Sequence, residues 1–259
     1  MTKHIPQPLA PVNPEGLEEI ARQLLEETPE ILKTPGSSLE DKASFWTITN
    51  VPYRNQLYDI DLLKTLLDNG ATKTQDQWSE YAKQAIPKGE FHAADFPLYH
   101  ALFATLYHVR DGPSKAATEE IQQFLNDKFT KYWLMTLTRV IYTPSGKDKV
   151  IHRLGLPDQY TIDEVIIGPN EWVKKAVEKA PYKALFGADD TAEIQSVYHW
   201  LTGREAYLWR LNTKQETPQG RVAGFVAGSG GACLDCGGGP ADSDPALGVR
   251  ACAAGAKKI

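Results

Sequence analysis

The sequence lacks the features of a membrane, secreted or nucleic-acid-binding protein. No run of about eighteen apolar residues is present, so no membrane span is predicted. The opening MTKHIPQPLAPVNPEG has no apolar segment of the kind found in secretory signals, so no secretory signal is predicted. Lys and Arg number 28 against 33 Asp and Glu, and this net charge of −5 argues against nucleic-acid binding.

Cysteine is also scarce. The chain has 3 cysteines, Cys233, Cys236 and Cys252, and all lie close to its end. An odd and small number argues against a disulfide framework and favours a reducing compartment. The remaining composition, 42% hydrophobic and 24% charged, is that of a globular protein with a buried core.

The first half of the chain is predicted to be mostly helical. After an extended arm over residues 1–13, Asn13-Pro14 is typical of a helix start, and an apolar stripe follows it. DIDLLKTLLDNG is predicted to be a short helix closed by Gly70. Thr74 and Gln77 have the spacing of a capping box for the next helix, and DFPLYHALFATLYHV and KAATEEIQQFLNDKFTKYW are predicted to be helices too. The stripe of the first helix consists of Leu17, Ile20, Ala21, Leu24 and Leu25.

The second half mixes strands and helices. LMTLTRVIYTP and KVIHRLG are rich in β-branched residues and flank the turn-forming SGKD, which predicts a hairpin. Helices are predicted for PNEWVKKAVEKA and for TAEIQSVYHWLTG, the latter begun by Asp190 and ended by Gly203. EAYLWRLN alternates in polarity and is predicted to be a strand.

The stretch RVAGFVAGSGGACLDCGGGPADSDPALGVR has an ordered frame that a disordered Gly/Ser linker would lack. Phe225, Ala227 and Ser229 recur at every second position, and Ala232, Leu234 and Cys236 do so again. Neighbouring residues of a strand point to opposite faces, so this spacing predicts two strands with one inward set. After a loop that contains Pro240 and Pro245, ALGVRAC is predicted to be a final strand.

The same stretch omits several residue types. From Val222 to Gly255 there is no Lys, Glu, Gln, Met or Trp, although average usage predicts about half a dozen. Every residue present can be encoded by a codon that ends in C, and AAC codons mutated at their two adenines give only that set. A GC-rich bias toward Gly and Ala is the alternative explanation.

This frame, together with KYWLMTLTRVIYTPSGKDKVIHRLGLPDQY and SVYHWLTGREAYLWRLN, resembles the variable proteins of diversity-generating retroelements. The resemblance covers about residues 130–259. It implies a C-type lectin fold whose C-terminal region, here 221–259, is rewritten by adenine-directed mutagenesis through an error-prone reverse transcriptase. The ALGVR ending also resembles the end of formylglycine-generating enzymes, which share the lectin-like fold.

The resemblance implies which positions are fixed and which are diversified. The fixed frame would consist of Phe225, Ala227, Ser229, Ala232, Leu234, Cys236, Pro240, Pro245, Leu247, Gly248, Val249 and Arg250. The ligand-binding, diversified positions would be Val226, Gly228, Gly230, Gly231, Cys233, Asp235, Gly237, Gly238, Gly239, Asp242, Ser243 and Asp244.

Several motifs of the sequence resemble catalytic, metal-binding or phosphate-binding sites. Cys233-x-x-Cys236 is a possible metal or redox pair, or the pair of a formylglycine-generating-like oxidase, but no second pair with zinc-site spacing follows. TPSGKDK does not satisfy a phosphate-loop pattern, and GSGGAC does not complete G-x-G-x-x-G. His100 and His108 are predicted to be ordinary histidines of one apolar helix. Trp200, Tyr207 and Trp209 are predicted to be core aromatics beneath the variable face, and a position at its rim is the alternative for one of them.

We therefore predict an α+β protein with a helical region at 1–128 and a C-type-lectin-like module at 129–259. It is expected to be a binding protein and not an enzyme, without cofactor or metal. Its ligand is unknown and is expected to be a protein or a cell-surface molecule. Nucleic-acid binding and membrane insertion are not expected, and the location is expected to be cytoplasmic or virion-associated.

Overall fold

The computed structural model describes residues 36–168, 170–211 and 216–253. From Ser37 onward these residues belong to one compact unit, which includes both sides of the expected 128/129 boundary. The structure is mixed α and β, with two sheets and five helices over the described residues. The expected extended arm and the helix with the Leu17 stripe lie outside the described residues. No described helix is long and apolar enough to cross a membrane.

The described residues begin with three strands, the third of which lies where we expected a helix. β1 (Leu39–Asp41), β2 (Phe45–Tyr53) and β3 (Gln56–Leu66) form an antiparallel sheet, and a short 3-10 turn, Leu67–Gly70, follows. The predicted helix in DIDLLKTLLDNG is therefore wrong. Apolar residues of β3 pack on both faces of the strand, Leu62 in one hydrophobic cluster and Leu63 against another, so they do not alternate strictly with polar ones.

Three predicted helices are confirmed in the next segment: α1 (Gln75–Ala85), α2 (Phe96–Val109) and α3 (Lys115–Lys131). The capping box of α1 is present, since Thr74 accepts from the Gln77 N–H and the Gln77 side chain accepts from the Thr74 N–H. The described part of the first half thus mixes strands with helices, and a mostly helical first half is not confirmed.

β4 (Leu134–Tyr142) and β5 (Asp148–His152) form the predicted hairpin, followed by β6 (Tyr160–Val165). The helix expected after Asn170 is wrong: Glu171–Trp172 form a short strand, β7, and Val173–Lys175 a 3-10 turn. Helix α4 comes later, at Ala180–Phe186.

α5 (Thr191–Thr202) begins and ends as predicted. The Asp190 side chain accepts from the N–H groups of Ala192 and Glu193, and Gly203 ends the helix in the left-handed conformation. β8 (Ala206–Trp209), β9 (Gln219–Gly228), β10 (Gly231–Gly238) and β11 (Leu247–Ala253) confirm the four predicted C-terminal strands.

The strands form two sheets, in the orders β1-β2-β3-β11 and β6-β5-β4-β9-β10-β8-β7. β8 and β10 are parallel, and the other pairs are antiparallel. Phe225 of β9 lies at the centre of the main core, where rings from α2, α3 and α5 surround it. A second cluster, around Trp78 of α1, Met135 and Val222, covers part of the opposite sheet face.

Candidate functional site

β9 and β10 are central strands of the seven-stranded sheet. β9 pairs with β4 on one side and β10 on the other, and β10 pairs with β9 and β8. Main-chain hydrogen bonds on both edges hold these strands whatever their outward side chains are. The candidate site is the outward face of β9, β10, β8 and β7, which we call the display face.

The inward set of the two strands is buried as the alternation predicted. Phe225, Ala227, Ala232, Leu234 and Cys236 are each at most 2% exposed and belong to the main core. Ser229 departs from the pattern, because it is exposed between the two strands.

One row of the display face runs across four strands. Val226 pairs with Cys233, Cys233 with Tyr207 and Tyr207 with Trp172. All four side chains are half-buried, and the rings of Trp172 and Tyr207 meet edge to face at 4.9 Å. This row presents an apolar strip with one thiol.

A second row lies two residues further along and contains Gly224, Asp235 and Trp209. The Asp235 carboxylate accepts a hydrogen bond from Trp133 Nε1 at 3.0 Å and from the Gly237 N–H at 2.7 Å. Burial raises the pKa of Asp235, and these two hydrogen bonds act in the opposite direction. Trp209 is 49% exposed at the edge of this row.

The predicted glycine positions differ in the space that they offer. A Cβ added at Gly228 or Gly230 meets nothing within 4 Å, so side chains are accommodated there. At Gly237 it would lie 3.3 Å from the Trp209 ring, at Gly238 2.8 Å from the Trp133 ring, and at Gly239 2.6 Å from the mobile end of the Asp242 side chain.

Gly231 is the predicted diversified position that the structure does not place on the surface. It is buried, its φ is +128°, and an added Cβ would lie 2.8 Å from the Glu205 carbonyl oxygen. Since that oxygen belongs to the backbone, it cannot easily move away. Gly231 is therefore a fixed position of the backbone rather than a display position.

The loop between β10 and β11 carries the last predicted positions. Asp242 and Ser243 are exposed, and the Asp242 carboxylate accepts from the Gly239 N–H at 2.9 Å. Asp244 is partly buried, and its backbone pairs with Lys73 and accepts from Trp78 Nε1. Burial raises the pKa of Asp244, with a further contribution from Asp242. The loop is therefore exposed at Asp242 and Ser243 and is held at Asp244 to α1 and to Lys73.

The two neighbouring cysteines do not form a joint site. Cys233 is half-buried on the display face, whereas Cys236 is completely buried in the main core. Both are free thiols, and burial raises the pKa of each, so neither is an activated thiolate. Among the described residues no group of three His, Cys, Asp or Glu is arranged to hold a metal ion.

The two histidines of α2 have different environments. His108 lies 2.6 Å from the Glu193 carboxylate, so it has an acidic partner that its own helix did not reveal. His100 is buried, burial lowers its pKa to about 4, and its Nδ1 has no hydrogen-bond partner among the described residues. Both line a surface pocket of about 400 Å³ that shares no lining residue with the display face.

The structure adds one aromatic residue to the predicted site and relocates another. Trp133 was not predicted, although it precedes the inward Leu134 and alternation therefore directs it outward. Trp209 lies at the rim rather than beneath the face, Tyr207 is half-buried in the face, and Trp200 packs near Tyr107 of α2.

Comparison with protein-family models, curated proteins and solved structures finds no match to this chain.

Proposed function

We propose that this chain is the variable, ligand-binding protein of a diversity-generating retroelement, built on a C-type-lectin-like scaffold. It binds a protein or a cell-surface molecule through its display face and is not an enzyme. The observation that carries the proposal is the sorting of β9 and β10. The frame residues within these two strands are buried in the core, and most of the predicted diversified residues between them are half-buried or exposed.

The sorting matters because the two sets have different energetic requirements. Truncation of a buried apolar residue costs about 2–5 kcal/mol, whereas changes at exposed positions usually fall within about ±0.5 kcal/mol. A region rewritten at random must confine its variation to positions of the second kind. Gly228, Gly230, Asp242 and Ser243 are exposed and meet that condition.

The alternative, an oxidase or a metal or redox site that uses Cys233 and Cys236, has less support. The two sulfur atoms belong to different environments, one on the display face and one in the core. A disulfide or a shared metal would require Cys236 to leave the core.

The test is the DNA around the gene. We expect a near-copy of the segment that encodes 221–259, beside a gene for a reverse transcriptase, with differences only where the copy has adenine. Across many clones, variation should occur at outward codons such as those of Val226, Gly228 and Asp235. It should spare Phe225 and Leu234. A locus without such a copy, or variation spread equally over inward codons, would contradict the proposal.

A further inference from the structure

The carboxylate of Asp235 is partly buried on the display face. Its hydrogen bonds come from two neutral donors, Trp133 Nε1 and the Gly237 N–H. No cation contributes to its environment in the part of the chain that the structure describes, and burial alone raises its pKa. A partly desolvated carboxylate without a counter-ion is more stable when a cation approaches it.

Aromatic rings border this carboxylate on both sides. The indole of Trp133 reaches it from the side of β4, and Trp209 is its register neighbour on β8. Gly237 lies against the Trp209 ring and Gly238 against the Trp133 ring, and neither glycine has a side chain that would cover these indoles. Tyr207 extends the aromatic border, with its ring 6.2 Å from that of Trp209.

Resting on the proposed display function, we propose that Asp235, Trp133 and Trp209 form a subsite for an arginine side chain of a protein partner. A guanidinium is attracted by a carboxylate and by indole rings at the same time. Arginine is favoured over lysine because its planar group is less strongly hydrated and stacks on aromatic rings. The exposed half of Trp209 leaves the approach from solvent open.

The proposal is tested by NMR titration of the full ¹⁵N-labelled chain with N-acetyl-arginine amide. The matched probe is N-acetyl-citrulline amide, which has nearly the same shape but no charge, at equal ionic strength. We expect arginine to shift the indole N–H signals of Trp133 and Trp209 and to bind about tenfold more tightly than citrulline. Equal shifts from the two probes, or shifts confined to other tryptophans, would overturn the proposal.

Single substitutions test whether the preference for arginine over citrulline comes from the proposed subsite. Asp235→Asn keeps an acceptor for Trp133 and should lose most of the preference for arginine over citrulline. Asp163→Asn removes an exposed carboxylate from β6, outside the display face, and should leave the preference unchanged. Trp209→Leu, on the exposed rim, should weaken arginine binding about tenfold even if Asp235→Asn does not fold. Preference retained in Trp209→Leu and in any folded Asp235→Asn would refute the subsite.

Failure of this inference is distinguishable from failure of the proposed function. A chain that tolerates substitutions at Gly228 and Gly230 but shows no preference for arginine keeps its display face and lacks only the subsite. A chain that unfolds when those two exposed positions are changed has no display face.

Discussion

Replacement of adjacent residues on β9 tests the separation of the inward and display faces. Phe225 is 1% exposed and stacks on Phe96 and Phe129, with centroid distances of 4.3 and 5.6 Å. Phe225→Ala should therefore cost about 3–5 kcal/mol. Val226 is half-buried on the display face, so Val226→Ala should cost about 0.8 kcal/mol or less.

The assay is urea unfolding of each variant, followed by far-UV circular dichroism, with thermal melting as a second measurement. In a chain of this size about 1 kcal/mol corresponds to about 2–4 °C in Tm. Phe225→Ala should therefore lower Tm by about 6–20 °C, and Val226→Ala by about 3 °C at most. Comparable losses in both variants would refute the assignment of opposite faces, because the two residues share one strand and differ chiefly in direction.

Three further predictions concern residues that do not point outward from the display face. Gly231→Ala should destabilise the fold by about 1–3 kcal/mol in urea unfolding, whereas Gly228→Ala should have little effect; equal stability of the two variants would refute the strain assigned to Gly231. Arg250 donates from Nε and Nη2 to the buried Asp61 carboxylate, so Arg250→Met should lower the free energy of unfolding by about 3–5 kcal/mol. A smaller loss for Arg250→Met than for Arg250→Lys would contradict this role. His100 has a pKa lowered to about 4, below its unfolded value of about 6.5, so its neutral form contributes stability that is lost as pH falls from about 6.5 to 4. Over that window the loss is about 3 kcal/mol, and His100→Asn should show a flatter dependence of unfolding free energy on pH.

The sequence predicted the C-terminal strands well because their pattern is local. Alternation in β9 and β10 depends only on which residues must reach the core, and the helix caps at Thr74 and Asp190 depend on residues three apart. These signals need no knowledge of distant partners.

The errors occur where distant partners decide the structure. β3 has apolar residues on both faces, a pattern that a short buried helix shares, and its partner β11 lies at the other end of the chain. Asp61 within β3 is buried because Arg250, 189 residues away, pairs with it. Trp172 is extended because it pairs with Tyr207 on β8, although its segment has helical propensity.

Positions of the display face differ in how far they tolerate a change of side chain. On β10 the backbone is held by β9 and β8, so a side chain that points to solvent contributes little to the fold and can change. That freedom disappears where another chain segment approaches the backbone closely. Gly231 lies against the Glu205 carbonyl, and Gly238 lies beneath the Trp133 ring. At Gly238 a side chain requires Trp133 to swing away from Asp235, so the residue at 238 controls a contact made from outside the variable region.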